Sequence, residues 1–136
     1  AFDGTNNPHI PHNYIHNCIA YTGTHDNTTI LDWLYSQNEG TRTFALKYCG
    51  FVGSGWGAGG RDCQSNKAII KTLVQSAADV VIIPTQDLLG YGGDTRMNIP
   101  GVPEENWKFR VAYDQMNSID TEFYQDINNT YGRIIY

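Results

Sequence analysis

A polar stretch over residues 21–27 (Tyr-Thr-Gly-Thr-His-Asp-Asn) carries the side-chain types of a carbohydrate site. The carboxylate of Asp26 can accept hydrogen bonds from sugar hydroxyls and can stabilise positive charge at an anomeric carbon. The adjacent imidazole of His25 can donate a hydrogen bond to another hydroxyl. A second interpretation stays open, because a helix is predicted to begin near residue 28 and Asp26 could simply cap it.

Two further polar stretches follow later in the chain. Residues 84–90 (Pro-Thr-Gln-Asp-Leu-Leu-Gly) place Asp87 directly after an apolar run. An isolated aspartate in that position is more often a structural hydrogen-bonding residue than a catalyst. The third stretch offers the guanidinium, amide and indole groups that suit a polyhydroxylated ligand, on Arg96, Asn98, Asn106 and Trp107. The alternative is a turn-rich loop with Trp107 packed into the core.

Two other patterns carry weaker signals. Residues 55–60 (Gly-Trp-Gly-Ala-Gly-Gly) match the glycine spacing of a dinucleotide-binding loop, with Asp79 as the acidic residue further on. Such a loop requires a strand directly before it, and Gly50 interrupts the run that could supply one. Four side chains near the start have metal-ligand types, but their irregular spacing argues against a metal site: His9, His12, His16 and Cys18. Neither a metal nor a cofactor is therefore predicted.

Two short apolar runs, at residues 18–22 and 80–83, predict the strands that position these groups. The second run is continuous and β-branched, which is typical of a strand buried on both faces of a parallel sheet. Helices are predicted over residues 28–36, 41–48, 65–78 and 118–131, and irregular stretches over 1–17, 50–60 and 85–110. Gly50 is the predicted stop of the second helix. The third helix has its apolar face at Ile69, Ile70, Leu73, Val74 and Ala77.

The order of these elements predicts an α/β chain with parallel strands. Both strands run into polar loops at their carboxyl ends, where parallel α/β folds place their chemistry. Two strands alone make a poor sheet, since a buried strand needs neighbours on both sides. Further strands from outside this sequence are therefore expected beside the pair.

The bulk composition limits the function classes. The chain has 136 residues and a formal net charge of −5, which argues against a nucleic-acid partner. No apolar run approaches the roughly 20 residues that span a bilayer, so no membrane partner is predicted. Three cysteines without framework spacing, and a first segment unlike a signal peptide, predict a cytoplasmic location.

Taken together, these motifs resemble the 4-alpha-glucanotransferase family, also called amylomaltase or disproportionating enzyme. The similarity spans nearly the whole chain in the right order. It is carried by Asn7-Pro8, residues 11–14, residues 21–27 with Thr29 and Trp33, Pro84, Gln86-Asp87, Leu89-Gly90, residues 96–98, Pro100-Gly101, Asn106-Trp107, Arg110 and residues 131–133.

The resemblance implies a fold and a site. The fold would be the C-terminal portion of a (β/α)8 TIM barrel, with residues 18–22 as strand seven and 80–83 as strand eight. Residues 1–136 would form a partial catalytic domain whose upstream barrel is missing. Asp26 would be the catalytic carboxylate that stabilises the transition state, and His25 and Asn98 would bind the sugar.

The resemblance also implies an activity. The intact enzyme would move an α-1,4-glucan segment, by a retaining mechanism, to the 4-hydroxyl of glucose or a maltooligosaccharide. The nucleophilic Asp and the acid/base Glu of such a mechanism would lie upstream, so this chain alone is expected to be inactive. The alternatives are a glucan hydrolase of the α-amylase clan and a nucleotide-binding module that uses the glycine-rich loop.

Overall fold

A computed structural model describes residues 1–134 of the chain. Strand β1 spans Ile19–Tyr21 and strand β2 spans Val80–Ile82. The two strands pair in parallel, with Ala20 opposite Val81. Both predicted strands are confirmed, and each is slightly shorter than the apolar run that predicted it.

Four of the six α-helices in the described part of the chain correspond to predicted helices, and the fourth and fifth were not predicted. The six helices are α1 (Ile30–Ser36), α2 (Glu39–Tyr48), α3 (Gln64–Val74), α4 (Thr85–Leu89), α5 (Tyr113–Met116) and α6 (Thr121–Thr130). Gly50 ends α2 as predicted. It adopts φ 76°, and the backbone N–H groups of Gly50 and Phe51 return to the carbonyls of Lys47 and Leu46.

Helix α3 is the centre of the packing. Its apolar face lies against α1, α2, α4 and α6. The main core cluster consists of Ile30, Leu34, Leu46, Ile69, Ile70, Val74 and Ile127. A smaller cluster, made of Ala20, Leu73 and Ala78, joins α3 to the strand pair. The helix therefore fixes the strand ends relative to the helices that follow each of them.

The predicted third helix was too long. The structure ends α3 at Val74, and the predicted core residue Ala77 is exposed. The cause lies far away in sequence, because the guanidinium of Arg133 donates to the carbonyls of Val74, Ser76 and Ala78 at 2.7, 3.1 and 2.8 Å. These bonds satisfy carbonyl oxygens that have no intrahelical partner at the end of α3, and they stabilise the turn between α3 and β2.

The prediction that β2 is buried on both faces is wrong for this chain. Val80 and Ile82 are 44% and 45% exposed, and Ile19 of β1 is 52% exposed. Side chains of a strand alternate between two faces. Ala20 packs under α3, but the other face is covered by nothing in residues 1–134.

The irregular stretch over residues 85–110 contains more structure than predicted. Helix α4 and a 3-10 turn at Gly93–Thr95 both lie within it. The last helix was predicted to begin at residue 118 but begins at Thr121, because the Asp120 carboxylate accepts from the N–H of Phe123 at 3.2 Å. Within residues 1–134, every helix is too short or too polar to cross a bilayer.

The glycine-rich loop packs on the turn after α4. The N–H of Gly60 donates to the carbonyl of Gly90 at 2.9 Å, and both glycines have positive φ, 89° and 68°. A Cβ atom at Gly90 would collide with the Gly60 backbone. Helix α2 and an irregular segment precede the loop where a dinucleotide fingerprint needs a strand, which disfavours the nucleotide-binding alternative.

Candidate functional site

The loop after β1 presents His25 and Asp26 at its tip. The side-chain oxygen of Asn27 accepts from the N–H and the hydroxyl of Thr24, at 2.9 and 3.0 Å. Thr29 is the residue that caps α1, since its hydroxyl accepts from the N–H of Asp32 at 3.3 Å. Asp26 is therefore not the helix cap, and the structure decides against that interpretation of its position.

Only one of the two oxygens of the Asp26 carboxylate has polar contacts within residues 1–134. Its Oδ1 accepts from Nδ2 of Asn98 at 2.7 Å and lies 3.3 Å from Nε2 of His25. Its Oδ2 makes no hydrogen bond within the part of the chain that the structure describes. The side chains of Asp26 and His25 are 49% and 59% exposed. One oxygen is thus held in place, and the other is free to accept from a ligand.

The structure brings together the three residues predicted for the site, although Asn98 lies 72 positions after Asp26. Arg96 joins the same two loops. Its Nη2 donates to the Asp26 carbonyl at 2.7 Å and its Nε to the Asn98 carbonyl at 2.9 Å. The sequence predicts Arg96 only as a possible ligand contact, because the spacing of residues along the chain does not reveal a side chain that bridges two distant loops.

The loop that carries Asn98 is closed on itself. The N–H of Trp107 donates to the Met97 carbonyl at 2.6 Å. The Asn106 side chain accepts from the N–H of Ile99 at 3.0 Å and donates to the Val102 carbonyl at 2.6 Å. These bonds hold Asn98 at the base of a compact loop.

Trp107 lies beside the site and not in the core. Its ring centroid is 5.2 Å from that of His25, and the residue is 52% exposed. Its φ of 61° is uncommon for a bulky residue and costs energy that the surrounding structure must supply. The alternative that Trp107 packs into the core is wrong, and its indole is accessible to a sugar ring.

Asp87 is a buried residue that forms structural hydrogen bonds, as the sequence favoured. It is 2% exposed, and its two carboxylate oxygens accept from the N–H of Ile30 at 2.8 Å and the hydroxyl of Thr22 at 2.7 Å. Burial raises the pKa of the Asp87 carboxyl, and these two hydrogen bonds partly oppose the rise. Asp87 therefore ties the end of β1 to the start of α1.

A cleft of about 180 Å³ lies between these loops. Its lining is Thr24, His25, Asn27, Thr28, Thr29, Pro84, Gln86, Asp87, Arg96 and Met97. The loops that follow β1 and β2 both contribute polar side chains to this cleft, as expected at the carboxyl edge of a parallel strand pair. The space can accept a small hydroxylated group beside His25 and Arg96.

Two of the four possible metal-ligand residues near the start of the chain, His12 and Cys18, make local side-chain contacts. Nδ1 of His12 lies 2.8 Å from the hydroxyl of Tyr48, and the thiol of Cys18 donates to the Ile15 carbonyl at 3.1 Å. Residues 1–134 contain no group of three or more His, Cys, Asp or Glu side chains placed to hold a metal ion. The side chains in and beside the cleft offer an imidazole, amides, a guanidinium, carboxylates and an indole.

The fold is that of an α/β protein with a cleft at the carboxyl ends of two parallel strands. The sequence profile of the family described as 4-alpha-glucanotransferase matches residues 1–116. The chain belongs to that family.

Relatives with curated names belong to the same family. The chain is 36% identical to the chloroplastic/amyloplastic 4-alpha-glucanotransferase of Solanum tuberosum over 94% of its length, and 37% identical to the 4-alpha-glucanotransferase of Synechocystis sp. over 100%. The structure of an amylomaltase from Streptococcus agalactiae in complex with acarbose superposes with a TM-score of 0.82 at 29% identity, covering 93% of the chain. The chain spans only 21% and 26% of the two relatives and 24% of that amylomaltase.

Proposed function

We propose that residues 1–136 are the C-terminal part of the catalytic barrel of a 4-alpha-glucanotransferase, with β1 and β2 as barrel strands seven and eight. Two observations support this proposal. The strands pair in parallel and in register, and one face of the pair is open. A closed barrel would cover that face and both outer edges with the other strands. The chain covers about a quarter of relatives that share its family.

The observation that carries the proposed role of Asp26 is its free carboxylate oxygen on the loop after β1, next to His25, which lines the cleft. In a retaining transfer, an upstream carboxylate attacks C1 of the glucan while an upstream acid gives its proton to the departing O4. The ring becomes cationic as the bond breaks, and the anionic Asp26 stabilises that charge. Its Oδ2 accepts from a ring hydroxyl at the same time.

His25 and Asn98 bind the same sugar in this proposal. His25 lies beside Asp26 with its ring centroid 5.2 Å from that of Trp107, and a ring nitrogen of His25 donates to a sugar hydroxyl. The amide of Asn98 donates to Oδ1 and holds that oxygen in place, while Oδ2 stays open to the sugar. The substrate is an α-1,4-glucan or a maltooligosaccharide. The acceptor 4-hydroxyl then attacks C1, gives its proton to the upstream acid/base residue, which is now a carboxylate, and releases the carboxylate nucleophile. A cytoplasmic location stays a prediction.

The experiment uses the complete enzyme, by which we mean this chain preceded by the upstream part that its relatives possess. We expect it to convert maltotriose into glucose and longer maltooligosaccharides, as followed by chromatography. Residues 1–136 alone should give no product, because a retaining mechanism needs two further carboxyl groups. Glucose and maltose without longer products would favour the hydrolase alternative, and no product from the complete enzyme would contradict both.

A further inference from the structure

We propose that Arg96 is the positioning residue of this site, acting through the Asp26 carboxylate. The inference rests on the proposed function and adds a residue to it. The observation is that one guanidinium donates to the main-chain carbonyls of Asp26 and Asn98, the two residues whose side chains hydrogen-bond to each other.

The Asp26–Asn98 hydrogen bond cannot define the site by itself. It joins the half-exposed carboxylate of Asp26 to the partly buried amide of Asn98, 72 positions away, and water competes for the carboxylate. Each side chain also has its own rotatable bonds, so its position depends on where the backbone below it is held. A second connection between the two backbones is therefore required.

Arg96 supplies that connection with a rigid group. Its guanidinium is planar, its N–H donors have fixed relative directions, and hydrogen bonds from a charged donor are roughly twice as strong as neutral ones. The two bonds, at 2.7 and 2.9 Å, fix the distance between the two carbonyls and with it the distance between the two side chains. Arg96 follows the 3-10 turn at Gly93–Thr95, and its own N–H donates to the Gly93 carbonyl at 3.1 Å.

A lysine cannot replace this arrangement, although it keeps the charge. Its ammonium is a single point on a flexible chain and does not reproduce two donors in a fixed fork. Displacement of a catalytic group by about 1 Å can cost about 10²-fold in rate. We therefore expect Arg96→Lys in the complete enzyme to lower kcat on maltotriose by about 10²-fold, with a KM that changes by less than about threefold.

Arg61→Lys is the matched control. Arg61 also donates to two carbonyls, those of Ser118 and Ile119 at 3.2 Å each, but it lies outside the cleft. We expect Arg61→Lys to lower Tm without changing kcat. A structural role for Arg96 would give the same result as this control, and that result would overturn the inference.

Two measurements separate positioning from stability. In Arg96→Ala, added guanidinium ion should restore part of kcat, while added ammonium should not. In the Asp26→Asn background, Arg96→Lys should cause little further loss, because its effect passes through the Asp26 carboxylate. Absence of guanidinium rescue, or a full additional loss in the double variant, would overturn the inference. The proposed function is judged separately, by the activity of the unsubstituted enzyme.

Discussion

Asp26→Asn should lower kcat of the complete enzyme on maltotriose by between about 10² and 10³-fold while acarbose still binds. The variant keeps the size of the side chain and an oxygen that can accept from Asn98, so the loop geometry survives. It removes the negative charge that faces the developing cation. Ground-state affinity depends mainly on hydrogen bonds that the amide can still make, so we expect the Kd for acarbose to change by less than about tenfold.

The rate comes from initial glucose release and the Kd from calorimetry. Asp126→Asn is the matched control, because Asp126 is exposed on α6, away from the cleft, and undergoes the same chemical change. This control should have the unsubstituted rate. A kcat for Asp26→Asn within about tenfold of the unsubstituted enzyme would show that the charge of Asp26 does not stabilise the transition state.

The second large effect concerns stability, at the contact between the glycine-rich loop and the end of α4. Gly90→Ala places a Cβ atom 2.7 Å from the N of Gly60 and 3.0 Å from the Cβ of Cys63, on a backbone with φ 68°. The left-handed conformation costs about 1–2 kcal/mol for an L-residue, and the overpacking adds about 1–3 kcal/mol. We therefore expect Tm to fall substantially, as measured by thermal unfolding of the complete enzyme.

Gly132→Ala separates these two contributions. Gly132 has φ 72°, but among residues 1–134 a Cβ atom there meets nothing within 4 Å. It should cost only the left-handed strain, about 1–2 kcal/mol, and a correspondingly smaller loss of Tm. Equal shifts for the two variants would contradict the close contact between Gly60 and Gly90.

The parts of the fold that depend on local pattern could be predicted from the sequence. The β-branched run at residues 80–83 predicted β2, and Gly50 marked the end of α2 through its positive φ. The predicted end of a helix was wrong where a residue distant in sequence determines it. The end of α3 is set by Arg133, 59 positions beyond Val74, and local periodicity carries no trace of that contact.

The site was predictable in its residues but not in its geometry. Spacing alone left Asp26 equally able to cap α1, and only the structure shows that Thr29 takes that position. Side-chain chemistry indicated Asp26 and His25 as sugar-binding residues, and the family resemblance implied the specific roles of Asp26, His25 and Asn98. The bridge made by Arg96 needed coordinates, because hydrogen bonds to main-chain carbonyls impose no pattern on the residues that accept them.

The central claim is that Oδ2 of Asp26 faces a glucose ring at the point of cleavage. The most direct measurement is a crystal structure of the complete enzyme with acarbose bound. We predict that Oδ2 lies about 3 Å from a hydroxyl of the ring next to the upstream nucleophile. A bound acarbose whose rings all lie beyond hydrogen-bonding distance of Asp26 would contradict the account.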